Sequence, residues 1–251
     1  MNNSTLVIQS HRNPLPYPWI QRCLDSVQDW AKSRHYDYTF LDDELFTPVP
    51  SNLKFLIEQN RVIASDLARL LQIHKTLDSG YDRVVWCDAD FLIFDENDFR
   101  LPDWSYAVGR EIWVQADDSG RLKVYKKVHN AFMMFCRENA FLDFYIETVE
   151  RLLSQNTGVI PPQFAGPKLL TALHNVAGLH VMEQAGMLSP LTIDGILSGQ
   201  TQAVELFRKR SEVLPSAVNL CISSCERHDI STEQMGLLID KLQDEGLTCF
   251  K

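Results

Sequence analysis

Two aspartates that follow directly on an apolar stretch are the residues of this 251-residue chain best suited to chemistry. Asp88 and Asp90 come straight after a predicted strand at residues 83–87, with only Ala89 between them. Ligands of open α/β sheets bind beyond the carboxyl ends of the strands, where this pair would lie. Two carboxylates this close repel each other, and a bound divalent cation is the usual way in which proteins offset that repulsion. A turn in which both aspartates only cap the next segment explains the same pattern, so the context has to decide.

A second charged pair lies one predicted element upstream. Asp66 and Arg69 are spaced i and i+3 on a predicted helix, so they share one face and can form an ion pair. On a solvated face such a pair would contribute less than about 1 kcal/mol and carry no function. Its place just before the acidic strand end makes it a candidate to share a site with Asp88 and Asp90.

Apolar periodicity predicts the elements that must position these residues. In the first half, short β-branched stretches alternate with amphipathic segments in the order βαβαβ, which favours an α/β fold with a largely parallel sheet and helices on both faces. The predicted strands are 5–10, 36–41 and 83–87, and the predicted helices cover 20–31 and 57–77.

The second half has a mixed pattern. The predicted strands are 106–114 and 124–136, and the predicted helices are 141–153, 168–175 and 232–244. The last helix is expected to begin with a capping box of Ser231 and Gln234. Trp86, Trp104 and Trp113 lie in apolar stretches and are predicted core residues. The sequence has no repeat, linker or clear boundary, so we predict one domain over residues 1–251, with a less recognisable part from about residue 182 on.

Composition excludes several classes of protein. The chain is 45% hydrophobic and 23% charged, which is typical of globular domains, and its formal net charge of −9 with no basic run argues against nucleic acid as a partner. No stretch approaches the roughly 18–20 apolar residues of a membrane helix, and the N-terminal residues lack a signal-peptide pattern. Six irregularly spaced cysteines form no disulfide framework. We therefore expect a cytoplasmic protein with reduced thiols; peripheral attachment at the inner membrane face is left open.

These motifs, taken in order, resemble the retaining glycosyltransferases of the GT-A fold. The sequence is most similar to family 32, the mannosyltransferase and capsular polysaccharide group, with kinship to family 8. The resemblance spans roughly residues 5 to 180 and rests on four segments, 64–69 (ASDLAR), 81–90 (YDRVVWCDAD), 130–134 (NAFMM) and 163–171 (QFAGPKLLT). It departs from family 32 before the acidic pair, where Ser79, Gly80 and a longer stretch resemble family 8 more.

The resemblance implies a site and an activity. The fold would be a nucleotide-binding, mostly parallel central sheet flanked by helices. The activity would be metal-dependent transfer of a sugar from a nucleotide-sugar to an acceptor hydroxyl with retention, as in polysaccharide biosynthesis. The cofactor would be Mn²⁺ or Mg²⁺, held by Asp88, Asp90 and a third ligand, for which His228 comes first and Asn219 and Ser223 follow. The donor-binding residues implied are Asp66, Arg69, Asp88, Asn130, Gln163 and Gly166, with Gln9 and His11 forming the floor for the base.

Several points stay open in this interpretation. The acceptor could be a glycan, a lipid-linked molecule or a protein, and neither the donor base nor the sugar can be read from the sequence. No nucleophile is identified, because Asn130 and Gln163 are neutral amides that would at best stabilise charge. The part after about residue 182 is a candidate for acceptor specificity.

Three competing interpretations remain. The same fold without turnover would be a nucleotide-sugar binding or scaffold protein, which slow hydrolysis of the donor would distinguish. A haloacid-dehalogenase-type phosphatase also uses two aspartates after a strand, but it expects them on its first strand and Thr or Val where this chain has Leu92. Cys221, Cys225 and His228 have spacing that could begin a zinc site, although no fourth ligand lies at a matching distance.

Overall fold

The structure is a computed structural model that describes residues 4–156 and 158–250. Its strands are β1 (Thr5–Ser10), β2 (Asp37–Leu41), β3 (Arg83–Cys87), β4 (Phe91–Ile93), β5 (Tyr106–Ala116), β6 (Leu122–Cys136), β7 (Val181–Met182), β8 (Ala185–Met187) and β9 (Ala217–Asn219). Its helices are α1 (Pro18–Ser33), α2 (Leu56–Gln59), α3 (Arg61–Asp78), α4 (Ala140–Gln155), α5 (Leu169–Ala177), α6 (Pro190–Ser198), α7 (Thr201–Arg210), α8 (Ile222–Arg227) and α9 (Thr232–Glu245). Single turns of 3₁₀ or π helix cover Asp43–Phe46, Ser51–Leu53, Phe164–Lys168 and Gly246–Phe250.

A six-stranded sheet forms the centre, in the order β2-β1-β3-β6-β5-β7. β2, β1 and β3 are parallel, β6 runs antiparallel to both β3 and β5, and β7 is parallel to β5. Only β6 therefore opposes the common direction of this sheet. The α/β class with a mostly parallel central sheet is confirmed. A second sheet, β4-β9-β8, which no sequence pattern predicted, joins the region after β3 to the C-terminal part.

Helices cover both faces of the central sheet, as the sequence predicted. Alternate residues of a strand point to opposite faces. In β3, Val84 and Trp86 belong to the core cluster that contains the buried side of α3 and α4, whereas Val85 and Cys87 pack in the cluster that contains α1. Strands buried on both faces read as continuous apolar runs, which explains the sequence of β3.

Most element predictions agree with the structure; the corrections concern one helix and two tryptophans predicted in the core, Trp104 and the half-buried Trp113. The predicted helix 57–77 is interrupted at Asn60, whose side chain accepts a hydrogen bond from the Ile63 amide at 3.4 Å and caps α3. Asparagine is among the best N-cap residues, so it begins a new helix there. Trp104 was predicted in the core but is 41% exposed, because it lies in the loop before β5 and stacks on His180.

The predicted start of the last helix agrees with the structure. The capping box of Ser231 and Gln234 is present at the start of α9. All six cysteines are free thiols. Among the helices of the described residues, none has the length and apolar composition that crossing a bilayer requires.

A buried histidine links the two sheets. The register of β5 against β6 shifts between Val108 and Gly109, and the His129 ring occupies the space over Gly109. Its Nδ1 accepts a hydrogen bond from the Ala131 amide and its Nε2 contacts the Ala185 carbonyl, both at 3.1 Å. Burial lowers the pKa of His129 to about 4, so the ring is neutral near neutral pH, with one acceptor and one donor nitrogen.

Replacing Gly109 by alanine is expected to destabilise the protein. The added Cβ would overlap the His129 ring, which cannot move without losing both of its hydrogen bonds. Overpacking of this kind costs about 1–3 kcal/mol, and a lost buried hydrogen bond adds to it. Urea unfolding of Gly109→Ala measures the loss. Gly236→Ala in α9, where the new Cβ meets nothing within 4 Å, is the control and should be neutral or slightly stabilising. Equal stabilities for the two variants would contradict this packing.

Candidate active site

A cavity of about 430 Å³ lies at the carboxyl end of β3. Its walls come from the loop after β1, the segment 42–46, α3, the end of β3 and the start of α8. This is the edge of an α/β sheet at which ligands bind. Of the residues that the sequence singled out, it is lined by His11, Asp66, Arg69, Asp88, Asp90, Asn130, Gln163, Asn219 and Ser223.

The turn that carries the two aspartates is fixed by its backbone. The Asp88 amide donates to the Ala131 carbonyl of β6 at 2.8 Å, and the Asp88 carbonyl accepts from the Gln9 side chain of β1 at 3.1 Å. The Asp90 carbonyl accepts from the Leu220 amide at 2.9 Å. Because three separate segments hold this turn, both carboxylates project from a rigid framework.

Arg69 is the centre of the site's hydrogen bonding. Its Nη1 donates to Asp88 Oδ1 at 2.8 Å and to the Asn130 carbonyl at 3.1 Å, and its Nη2 lies 3.4 Å from Asp66 Oδ1. The guanidinium also lies over the Trp86 ring, 5.2 Å from its centroid. Asp66 and Arg69 are 4% and 9% exposed, so the interpretation as a surface salt bridge is wrong.

Asp66 has one carboxylate oxygen without a partner. Its Oδ1 accepts from Asn130 Nδ2 at 2.8 Å, whereas its buried Oδ2 has no hydrogen bond within the described residues. Burial raises the pKa of Asp66, opposed by the Arg69 charge and the Asn130 hydrogen bond. An unpaired buried oxygen costs about 1–3 kcal/mol of stability, so this atom is the incomplete part of an otherwise hydrogen-bonded cluster.

Gly166 lets the backbone approach this pair. A Cβ at residue 166 would lie 2.6 Å from Asn130 Nδ2 and 2.8 Å from Asp66 Oδ2, closer than real Cβ contacts. The π-helical turn that contains Gly166 is held by Tyr145, whose hydroxyl donates to the Ala165 carbonyl at 2.7 Å. Gln163, just before this turn, has φ 67°, a left-handed conformation that is uncommon for a residue with a Cβ.

Asp88 and Asp90 have different environments. Asp88 Oδ1 accepts from Arg69 and from Trp86 Nε1 at 2.7 Å, and its side chain is 26% exposed. Asp90 Oδ1 accepts from Asn219 Nδ2 at 2.6 Å and its Oδ2 from the Ile222 amide at 2.8 Å. Burial, followed by the nearby Asp88 charge, raises the pKa of Asp90 to about 6. A cation beside the pair would favour its charged form.

The carboxylate oxygens of Asp88 and Asp90 suit a hard divalent cation that takes its remaining ligands from water and substrate. Mg²⁺ is usually bound by one or two protein carboxylates, with water and substrate phosphates completing its octahedron, and Mn²⁺ also favours oxygen ligands. Asp88 and Asp90 supply two such carboxylates. In the described part of the chain, no group of three or more His, Cys, Asp or Glu side chains is close enough to hold one ion.

The structure does not bring His228 to the acidic pair. α8 begins beside Asp90, and His228 follows its last residue, six positions and roughly 9 Å further along. His228 lines a neighbouring cavity instead. The same lack of a three-residue group argues against a zinc site of Cys221, Cys225 and His228 in the described residues.

Gln9 has a role that the sequence did not predict. It is fully buried, and its amide donates to the Asp88 carbonyl while its Oε1 accepts from the Tyr38 hydroxyl at 3.1 Å. Gln9 therefore supports the turn and does not line the cavity. His11 does line it, together with its neighbours Ser10 and Arg12.

Sequence reasoning missed two partners of the acidic pair. Trp86 was identified only as a core residue, although its place two positions before Asp88 puts both on one side of the strand. Asn219 was considered as a metal ligand, whereas its Nδ2 donates to Asp90. No local pattern shows this contact, because 129 positions separate the two residues.

Similarity to known proteins is found in the structure and not in the sequence. No protein-family model and no curated protein matches this sequence. A glycosyltransferase involved in glycosylation of the major capsid of PBCV-1 is similar in structure, with 12% identity, a TM-score of 0.49, and coverage of 93% of this chain and 99% of that one. The galactosyltransferase LgtC, solved with donor and acceptor sugar analogues, has 15% identity and a TM-score of 0.46, covering 97% and 99%. Mouse xyloside xylosyltransferase 1 has 13% identity and a TM-score of 0.43, covering 88% and 98%. At these values none of the similarities decides what this chain binds.

Removing the Arg69 charge is expected to leave Asp66 buried and uncompensated. Arg69→Met should lose about 3–5 kcal/mol of unfolding free energy, which chemical denaturation measures. Adding Asp66→Asn to Arg69→Met should recover at least about 1 kcal/mol, because the buried charge is gone.

A second arginine of α3 is the matched control for this prediction. Arg61 pairs with Asp43 on the surface, where both side chains are at least half exposed, so Arg61→Met should cost less than about 1 kcal/mol. The loss of unfolding free energy in Asp66→Asn alone is measured as well. If the double variant lost the sum of what Arg69→Met and Asp66→Asn each lose alone, Asp66 and Arg69 would not be coupled.

Proposed function

We propose that this protein is a glycosyltransferase that moves a sugar from a nucleotide-sugar to an acceptor hydroxyl with the help of Mn²⁺ or Mg²⁺. The observation that carries the proposal is the buried cluster of Asp66, Arg69, Asp88 and Asn130 at the carboxyl end of the sheet. The same cavity holds the carboxylate pair of Asp88 and Asp90, suited to a metal diphosphate, and an unpaired buried acceptor oxygen of Asp66, suited to a sugar hydroxyl.

The diphosphate would lie against Asp88 and Asp90. These two residues would hold the metal ion, which when bound supplies Lewis-acid neutralisation of the charge on the leaving nucleoside diphosphate. Arg69 and Trp86 hold Asp88 Oδ1 in a fixed direction, and Asn219 with the Ile222 amide does the same for Asp90. Such preorganisation keeps the reacting groups in place without reorganisation during the reaction.

The donor sugar would lie against Asp66. The free Oδ2 of Asp66 can accept a hydrogen bond from a sugar hydroxyl, and Gly166 adds no side chain at the point where a Cβ would lie 2.8 Å from that oxygen. Arg69 fixes Asp66 and Asp88 relative to each other, so it is a positioning residue for both the sugar and the diphosphate. Holding the donor in one geometry lowers the entropic part of the barrier.

The nucleoside would extend toward the loop after β1. Ser10, His11 and Arg12 line that end of the cavity together with Phe46 of the segment 42–46. Arg61 lies over the Phe46 ring, 4.7 Å from its centroid, and pairs with Asp43, which keeps this wall ordered. Burial lowers the pKa of His11, so its ring is mainly neutral at neutral pH and able to accept or donate a hydrogen bond.

In the reaction, the bond between the anomeric carbon and the phosphate oxygen breaks as the acceptor oxygen bonds to that carbon. The electron pair goes to the nucleoside diphosphate, whose phosphate oxygen takes up the proton that the acceptor hydroxyl loses, and positive charge develops on the sugar ring, as in glycoside hydrolysis. Gln163 lines both this cavity and its neighbour, and its amide oxygen would stabilise that charge. Retention of configuration belongs to the proposal through the family resemblance alone.

The proposal is tested by release of nucleoside diphosphate. With Mn²⁺ present, the protein should slowly hydrolyse nucleotide-sugars of one donor class, and Asp88→Asn should slow that release by about 10²-fold or more because the metal site is lost. Asp29→Asn removes the same charge from an exposed position on α1 and should leave the rate unchanged.

Two other outcomes would contradict a transferase. Nucleotide-sugar that binds without any release would indicate a binding or scaffold protein. Asp88-dependent hydrolysis of p-nitrophenyl phosphate, with no release from nucleotide-sugars, would indicate a phosphatase.

A further inference from the structure

A second cavity, of about 510 Å³, adjoins the active-site cavity. The two share Gln163, Pro167, Met187 and Cys221 as a common wall. The other walls of the second cavity come from β5, β6, α5 and α8. A molecule in it would therefore reach the donor sugar past Gln163.

The second cavity has an excess of positive charge. Lys127 lies 3.6 Å from the carboxylate of Glu111, so these two residues neutralise each other. Lys168 and Arg227 also line the cavity, and within residues 4–156 and 158–250 neither lies within 4 Å of a carboxylate. Two exposed, uncompensated cations in one cavity are notable in a chain of net charge −9.

The active-site cavity has the opposite charge balance. Its carboxylates outnumber its arginines, since six acidic residues line it against three arginines, and its acidic members include Asp90 and Glu226. α8 divides the two charge environments, because Glu226 lines the first cavity and the next residue, Arg227, lines the second. A negative group with no metal ion beside it would be repelled on one side of α8 and attracted on the other.

The second cavity also has a surface suited to a sugar ring. Trp113, which the sequence predicted in the core, is only half-buried and lines this cavity. An indole ring has apolar faces against which the C–H face of a sugar can pack. Gln115 and Thr171 add neutral polar groups along the same wall.

We propose that the second cavity binds the acceptor and that this acceptor is an acidic sugar, carrying a carboxylate or a phosphate ester. This inference rests on the proposed function. Lys168 and Arg227 would bind the negative group and Trp113 the ring. The charge contrast across α8 would then turn the neutral, hydroxyl-bearing edge of the sugar toward Gln163 and the donor.

The test is direct binding of matched probes, measured by ligand-observed NMR titration of the full chain. p-Nitrophenyl β-D-glucuronide is compared with p-nitrophenyl β-D-glucoside, and glucose 6-phosphate with glucose. The wild-type protein should bind at least one acidic probe about tenfold more tightly than its neutral partner, since each exposed ion pair contributes up to about 1 kcal/mol. A preference in the first pair indicates a carboxylate and in the second a phosphate ester; both support the proposal.

Paired variants assign the preference to the second cavity. Lys168→Gln/Arg227→Gln should abolish it, and Lys32→Gln/Arg208→Gln, which removes the same charge from exposed positions outside both cavities, should keep it. Melting curves check that both variants are folded. Equal binding of acidic and neutral probes by the wild type would overturn the proposal, as would a preference that survives in the cavity variant.

Donor hydrolysis by the wild-type protein separates this inference from the proposed function. Release of nucleoside diphosphate without any preference for acidic probes would overturn the acidic-acceptor proposal alone. A preference that depends on Lys168 and Arg227, without release from any donor, would support anion binding in the second cavity but overturn its assignment as an acceptor site.

Discussion

The position of Arg69 between two carboxylates is the constraint on which the candidate site depends. Its guanidinium contacts Asp66, Asp88 and the Asn130 carbonyl, so α3, the end of β3 and β6 are tied together at one buried point. A buried charge network is stable only when its members are paired and hydrogen-bonded, because the cost of desolvation is otherwise too large. The one member left incomplete, Asp66 Oδ2, is therefore the atom most informative about a ligand.

The C-terminal part completes the site from the other side. Asp90 receives hydrogen bonds from Asn219 at the end of β9 and from the Ile222 amide at the start of α8, so the acidic turn and the second sheet form one framework. α8 then contributes to both cavities through consecutive residues. A region that carries no recognisable motif thus determines how the acidic pair is oriented and what the neighbouring cavity attracts.

The sequence predicted local features well and long-range contacts poorly. The βαβαβ order, the strand before Asp88 and the capping box of α9 follow from apolar periodicity and side-chain chemistry within a few residues. Asp66 and Arg69 could be identified as candidates, but their burial depends on packing against β3 and β6. Short strands such as β8 and β9 have no periodicity of their own, so neither the second sheet nor its contact with Asp90 could be predicted. His228 was misplaced for the same reason, since the direction of α8 is set by tertiary contacts.

Thermal melting against a panel of nucleotide-sugars shows whether the first cavity binds a nucleotide-sugar through the acidic pair. A ligand that binds only the folded protein increases the free energy of unfolding by mass action, by about 2.7 kcal/mol at a ligand concentration of 100 Kd. Tm rises as a consequence. We expect a Tm increase with one class of nucleotide-sugar that requires Mn²⁺ or Mg²⁺ and is lost in the folded Asp88→Asn/Asp90→Asn variant. No increase with any nucleotide-sugar, or an increase that the double variant retains, would mean that the acidic pair does not bind a nucleotide-sugar.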